Sequence, residues 1–293
     1  MHKVGDVVGR FTLEQELGRG PMSEVFLAVE AGTGWKAAFK IFILEPGAKP
    51  GDNVLWAQRM VREATAAARF RHANVVQVHE VGDLGSAPYL VRDFIVGRSL
   101  AEYVGDASQG IAEAKVYWLR ELARTLADIH RAGLAHREVR PTNMLVRRDG
   151  ELRVLDFGVA RRSIDREAGL VARLSGPDRI RVLGTPAYMA PERFANQGSS
   201  PATDQFGWGV LAYELFAGRL PWGAGPAKRL KPAKVIDAIL TTTPEPVTRH
   251  APGLSRALDA VLARTMAKSA AERFPSMDYV LRDFDQALRP SGR

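Results

Sequence analysis

His136-Arg137-Glu138-Val139-Arg140-Pro141-Thr142-Asn143-Met144-Leu145-Val146-Arg147-Arg148-Asp149-Gly150-Glu151-Leu152-Arg153-Val154-Leu155-Asp156-Phe157-Gly158 is the stretch on which the reading of this chain turns. Two short β-forming runs, 144–148 and 151–155, flank Asp149-Gly150. That dipeptide suits a two-residue hairpin turn, in which both central residues take a positive φ. With such a turn Arg148 faces Glu151, and counting outward sets Asn143 directly across from Asp156. An amide oxygen and a carboxylate on neighbouring strands are then within reach of one hard cation such as Mg2+, which takes oxygen ligands. A hairpin with merely polar ends accounts for the same residues equally well, so the surrounding sequence has to separate the two.

Upstream, residues 11–96 are mostly short β-rich runs with one helical stretch over 54–70. Runs 11–17, 25–29 and 36–43 are separated by glycine-bearing turns at 18–23 and 32–34, the pattern of an antiparallel meander. Downstream of Gly97 the period changes. Across 112–132 Val116, Leu119, Ala123, Leu126 and Ile129 recur at three- and four-residue spacing, and Gly133 follows as a helix-ending residue. Residues 204–217 are apolar on nearly every face, which requires burial; Thr203 or Asp204 is the expected N-cap and Gly218 the end. Pro221, Pro226 and Pro232 mark an irregular stretch, and helical patterns at 235–240, 255–266 and 277–288 complete the chain. The expected class is α+β: a small antiparallel-sheet lobe with one helix over 11–96, and a larger, mainly helical lobe over 97–290. Together they form one domain, 11–290, preceded by an extension, 1–10.

With 293 residues, 46% of them hydrophobic, the chain can bury a sizeable core. The absence of cysteine excludes disulfides, thiolate metal sites and cysteine nucleophiles. No apolar run reaches the roughly 20 residues that span a bilayer, and the first nine residues lack the apolar stretch of a secretory signal. A cytoplasmic location is expected, with no membrane segment. The net charge of +8 comes from arginines spread along the whole chain, so no nucleic-acid partner is expected.

Gly18-Arg19-Gly20-Pro21-Met22-Ser23-Glu24-Val25 is a glycine-bearing turn between two strands, not between a strand and a helix, so it does not fit a dinucleotide-binding fingerprint. Alone it is a tight turn. In order along the chain, however, follow Ala38-Phe39-Lys40, Arg62-Glu63-Ala64, the 136–143 stretch, Asp156-Phe157-Gly158, Gly184-Thr185-Pro186, Ala190-Pro191-Glu192, Asp204 within the buried helix, and Glu272-Arg273-Phe274. Over 11–288 this series resembles the protein-kinase signature set. The unbroken Gly184-Thr185-Pro186-Ala187-Tyr188-Met189-Ala190-Pro191-Glu192 is similar to bacterial serine/threonine kinases of the eukaryotic type.

The resemblance implies a bilobal protein-kinase fold, ATP and Mg2+ as cofactors, and a protein substrate or signalling partner. Lys40, held by Glu63, would orient the α and β phosphates beneath a cover of Gly18, Gly20 and Ser23. Asn143 and Asp156 would hold magnesium. Val25, Ala38 and Leu145 would sandwich the adenine, and the backbone from Asp93 to Ile95 would bond its edge. Arg273 would pair with Glu192, and Thr185 favours hydroxyl-amino-acid substrates over tyrosine.

Several residues depart from the pattern. Ser23 replaces a third glycine. Glu138 stands where the catalytic aspartate belongs, carrying its carboxylate about 1.5 Å of bond length further out, and a misplacement near 1 Å costs about a hundredfold in rate. Arg140 replaces a lysine, which keeps the charge but changes a point into a planar fork. Arg92 occupies the position beside the adenine pocket, where a buried guanidinium needs Glu63 or Asp156 as partner unless it reaches solvent. The segment 159–183 contains no threonine, leaving Ser163 and Ser175 as hydroxyls and Ser175 as the expected regulatory site. The leading expectation is a Mg-ATP-dependent serine/threonine protein kinase of reduced turnover. The alternative is a pseudokinase acting as a nucleotide-binding signalling scaffold. A small-molecule phosphotransferase of the aminoglycoside or choline type would lack the 184–192 segment.

Overall fold

The computed structural model describes residues 2–20, 23–43, 50–84, 87–155, 186–195, 197–223 and 231–289. Ser175, Thr185 and Asp156-Phe157-Gly158 lie outside them. The described residues fall into two compact units, one ending at Val96 and the other beginning at Gly97.

The first unit is a six-stranded antiparallel sheet in the order β1 (Val7–Val8), β2 (Phe11–Arg19), β3 (Ser23–Glu30), β4 (Lys36–Phe42), β6 (Pro88–Asp93), β5 (Val78–Asp83). Val25 opposite Lys40, Leu27 opposite Ala38, and Ala38 opposite Arg92 fix the register. Because successive side chains alternate faces, Val25, Ala38, Lys40, Leu90 and Arg92 share one face. The other face carries Phe26, Ala28, Phe39, Ile41 and Val91, which pack with Phe11 and Leu13 into a closed core. Phe39 anchors it, edge-on to Phe11 at 5.6 Å and stacked on Tyr89 at 4.9 Å. Helix α1 (Pro50–Ala67) covers the Lys40 face: its Ala57, Met60 and Ala64 pack against Phe42 and Leu90. Residues 1–10 were expected to lie outside the lobe. Instead, Val8 is buried in the sheet core, and the Gly5 N–H donates to the Leu13 carbonyl at 2.8 Å.

The second unit is built around α4 (Pro201–Ala217). Around it stand α2 (Ile111–Arg131), the short α3 (Pro191–Phe194), α5 (Pro232–Thr241), α6 (Ala257–Thr265) and α7 (Met277–Ala287). A three-stranded sheet, β7 (Gly97–Ser99), β8 (Met144–Arg147) and β9 (Leu152–Val154), completes the unit. α4 is buried on every side, as its composition demands; Trp208 donates its indole N–H to the Leu119 carbonyl at 3.1 Å and meets Phe284 edge-on. Gly207 permits a close approach, since a Cβ there would sit 2.9 Å from Val139 Cβ and 3.0 Å from its carbonyl oxygen.

The N-cap is Ser200, not Thr203 or Asp204. Pro201 supplies a first-turn residue whose φ is already helical, so the helix starts a turn earlier than expected and Thr203 serves as its third residue, accepting the Ser200 N–H at 3.1 Å. Gly218, at φ 66°, ends it. Among the described residues no helix is long and apolar enough to cross a membrane.

The ion pair between Arg273 and Glu192 is present and bidentate, at 2.7 and 2.8 Å. Arg273, only 3% exposed, also donates to the carbonyls of Ala202 and Ala267. Burial pushes the Glu192 carboxyl upward, but hydrogen bonds from Arg273 and its charge outweigh that and hold it below the ordinary 4.5. A depressed folded-state value means that the stabilisation is complete above the ordinary carboxylate range and is lost as pH falls through the folded value. Glu192→Gln is therefore expected to destabilise the chain by about 3–5 kcal/mol at neutral pH, because it leaves a buried guanidinium unpaired. The same substitution should flatten the acid limb of the stability curve, as read from urea midpoints between neutral and acid pH.

Candidate active site

The hairpin that suggested a cation site is formed, with a different register. Met144 pairs with Val154 and Val146 with Leu152. The Arg147 N–H donates to the Glu151 carbonyl at 2.9 Å, and the Gly150 N–H returns to the Arg147 carbonyl at 3.0 Å. The turn thus contains three residues, 148–150, with Gly150 at φ 86° as its left-handed residue. Asp149 keeps a negative φ and accepts the Glu151 N–H on its side chain at 3.2 Å, so the two-residue turn, which needs two consecutive positive φ values, does not form. The expected pairing of Arg148 with Glu151 and of Asn143 with Asp156 is corrected by one residue. Arg147 faces Glu151, and Asn143 faces Leu155, whose N–H it accepts at 2.8 Å.

The loop before this hairpin is held from below by α4. Asp204, 1% exposed, accepts the N–H of His136 at 2.7 Å and of Arg137 at 2.6 Å, and meets the His130 ring nitrogen Nε2 at 2.9 Å. Arg137 is at φ 71°, the only non-glycine with a positive φ among the described residues. That conformation costs about 1–2 kcal/mol, and charge-assisted hydrogen bonds to the buried carboxylate offset it. His136, fully buried, accepts the Glu138 N–H on Nδ1 at 3.2 Å and lies 2.9 Å through Nε2 from the Leu155 carbonyl. Only the tautomer protonated at Nε2 satisfies both contacts.

Glu138 and Asn143 are brought together. The Asn143 side-chain nitrogen donates to the Glu138 carbonyl at 3.0 Å and to its carboxylate Oε2 at 3.2 Å. Both partners are acceptors, so the amide orientation is settled and the Asn143 oxygen is left as a hard donor suited to Mg2+. Arg140 lies close enough to influence Tyr188, whose buried hydroxyl donates to the carboxylate of Glu214 on α4. Burial raises the Glu214 carboxyl, and the tyrosine hydrogen bond only partly opposes this. Leu145, on β8, is half-buried opposite Arg153 and Ser99.

The first unit gathers the rest of the expected set. Gly18 faces Val25 across the hairpin, which the Gly20 N–H closes on the Ser23 carbonyl at 2.8 Å. Lys40 sits between Val25 and Leu90, its ammonium 5.1 Å above the Phe42 ring. Glu63 lies half-buried on α1, the helix covering that face, and Ala38 is buried on the same face. Asp93 ends β6, its carboxylate 2.6 Å from the His79 ring, and Ile95 follows half-buried. Arg92 is 7% exposed, which removes the reading in which it reaches solvent.

A family model for the protein kinase domain matches residues 11–284. The chain belongs to the protein kinase family. Among its relatives, the serine/threonine-protein kinase PknJ of Mycobacterium tuberculosis is 34% identical over 93% of this chain and 44% of its own. Pkn2 of Myxococcus xanthus, also a serine/threonine-protein kinase, is 32% identical over 90% of this chain and 31% of its own. The chain therefore spans less than half the length of these curated relatives. Among solved structures, the apo form of PpkA-294 shares the fold at TM-score 0.73 and 19% identity, with 99% of each chain covered. Rad53 residues 1–466 in complex with AMP-PNP matches at 0.70 and 20%, over 94% of this chain and 64% of that one.

For a kinase chain, the sequence had marked Asp204 and His136 as landmarks but left unassigned what they do. His130 and Glu24 were missed altogether. The available signal for His130 was a polar residue one helical turn after Leu126 on the apolar face of α2; Glu24, at the edge of an apolar run, offered none. Asp204→Ala is expected to leave the backbone N–H groups of His136 and Arg137 without this acceptor and to lower unfolding free energy by about 2–6 kcal/mol, at about 1–3 kcal/mol for each group. Asp149→Ala, at the exposed turn, should change it by less than about 0.5 kcal/mol in the same urea titration.

Proposed function

We propose that this chain transfers the γ-phosphoryl group of ATP, with Mg2+, to serine or threonine hydroxyls of a protein substrate. The observation that carries the reading is the Glu138–Asn143 pair on a loop pinned by Asp204. Phosphoryl transfer needs positioning and charge neutralisation more than covalent chemistry, and this loop supplies both. The Asn143 amide nitrogen bonds the Glu138 carboxylate and so restricts the longer side chain that stands in place of aspartate. Glu138 then accepts the hydrogen of the attacking hydroxyl, while the Asn143 oxygen and Asp156 hold the metal. Mg2+, when bound, neutralises the phosphate oxygens.

Lys40, steered by Glu63, takes the α and β phosphates. Arg140 spreads its planar charge over the transferred group, a geometry that matches phosphate oxygens in pairs. Gly18, Gly20 and Ser23 cover the phosphates with the backbone of their hairpin; Val25 and Ala38 offer the adenine an apolar face, and the Asp93–Ile95 backbone reads its edge. The AMP-PNP bound by Rad53 and the serine/threonine kinase relatives support this assignment.

Intact-mass spectrometry of dephosphorylated protein with Mg-ATP and a basic protein substrate tests it. Phosphate should appear with the parent, fall about 10²–10⁴-fold with Glu138→Ala, as for loss of a general base, and vanish with Asp156→Ala. A parent that binds AMP-PNP yet transfers no phosphate would replace the enzyme with a nucleotide-binding signalling scaffold.

A further inference from the structure

The glycine hairpin contains one residue that neither turn chemistry nor strand burial accounts for. Glu24 lies next to the apolar run of β3, yet its carboxylate is buried, with 1% of the residue exposed. Across the hairpin, Arg19 donates Nη1 to Glu24 Oε1 and is itself held by Glu16 at 2.7 Å. The second oxygen, Oε2, accepts the backbone N–H of His2 at 3.2 Å, with the His2 ring nitrogen Nδ1 at 3.8 Å.

His2 belongs to a built segment. The Lys3 N–H donates to the Asp6 carboxylate at 2.9 Å, the Leu13 N–H donates to the Asp6 carbonyl at 2.9 Å, and Val8 enters the sheet core. The other end of this arm grips the hairpin. The two described glycines of the hairpin border open space: a Cβ on Gly18 would meet nothing within 4 Å, and one on Gly20 only the Ser23 carbonyl oxygen at 3.8 Å. A buried carboxylate is tolerated only while paired, so undocking of the arm and loosening of the tip are coupled through Glu24.

We infer that residues 2–8 are a positioning arm for the nucleotide hairpin, acting through the Arg19–Glu24–His2 clasp, and that its docking sets the affinity for the nucleotide's phosphates. This rests on the kinase reading of the hairpin. Glu24 is thereby a positioning residue, touching no phosphate itself.

The test compares the parent with Glu24→Gln and with a chain lacking residues 2–5, using two readouts. One is hydrogen exchange of amides 18–25 without nucleotide; the other is calorimetric affinity for AMP-PNP with Mg2+. Loss of a charge-assisted hydrogen bond is expected to speed hairpin exchange about tenfold, leave α4 amides unchanged, and weaken AMP-PNP binding by a similar factor. Arg19→Lys supplies a milder break should Glu24→Gln not fold. Unchanged hairpin exchange in a folded variant, or faster exchange spread evenly over the whole sheet, would overturn the inference. A parent that fails to bind AMP-PNP would instead overturn the kinase reading of the hairpin, and the exchange comparison would still decide whether the arm holds the tip.

Discussion

The buried carboxylate of Asp204 is the interaction on which the candidate catalytic loop depends. It sits in the first turn of a helix buried on all sides, so its position is set by the packing of the whole second unit. From there it accepts two successive backbone N–H groups, holding Arg137 in a left-handed conformation that a non-glycine residue avoids when left to itself. The loop is thus strained locally and stable globally. Strain of this kind persists where surrounding structure over-determines it, and such places are commonly functional.

What the strain achieves is direction. His136 turns back to the Leu155 carbonyl, tying the loop to the residue beside Asp156, and Glu138 emerges next to Asn143. Gly207 lets α4 come close beneath Val139, where any side chain would push the loop away. The Asn143 amide bonds the Glu138 carboxylate and so restrains the freedom that its longer side chain carries. The Glu192–Arg273 pair fixes α3, which follows the Tyr188 segment, to the stretch between α6 and α7.

Much of this was legible in the sequence. Short β-rich runs between glycine turns located β2, β3 and β4 of the first unit, and three- and four-residue spacing located α2. The all-round apolar stretch announced a buried helix. The order of the short motifs named the family, since each is ambiguous alone and their succession is not. Two of the corrections concern where an element turns or begins, by one residue at the hairpin and by about a turn at α4. Asp149-Gly150 is compatible with turns of two or three residues, and only the backbone bonds of Arg147 decide between them. Likewise Ser200, Thr203 and Asp204 are all good caps, and Pro201 made the choice.

The sequence by itself determined the class of fold, the residue types available for phosphate and metal chemistry, and the family, because periodicity and chemical identity are local properties of the chain. Tertiary structure alone decided which of those residues act together. That Asp204 is an acceptor for a loop 67 and 68 residues away, that Asn143 turns its nitrogen to Glu138, and that Glu24 is closed over by His2 are facts of packing between distant segments. Sequence spacing carries no record of them, since contacts at such separation are formed by burial of apolar faces elsewhere, and the polar groups are carried into place with them.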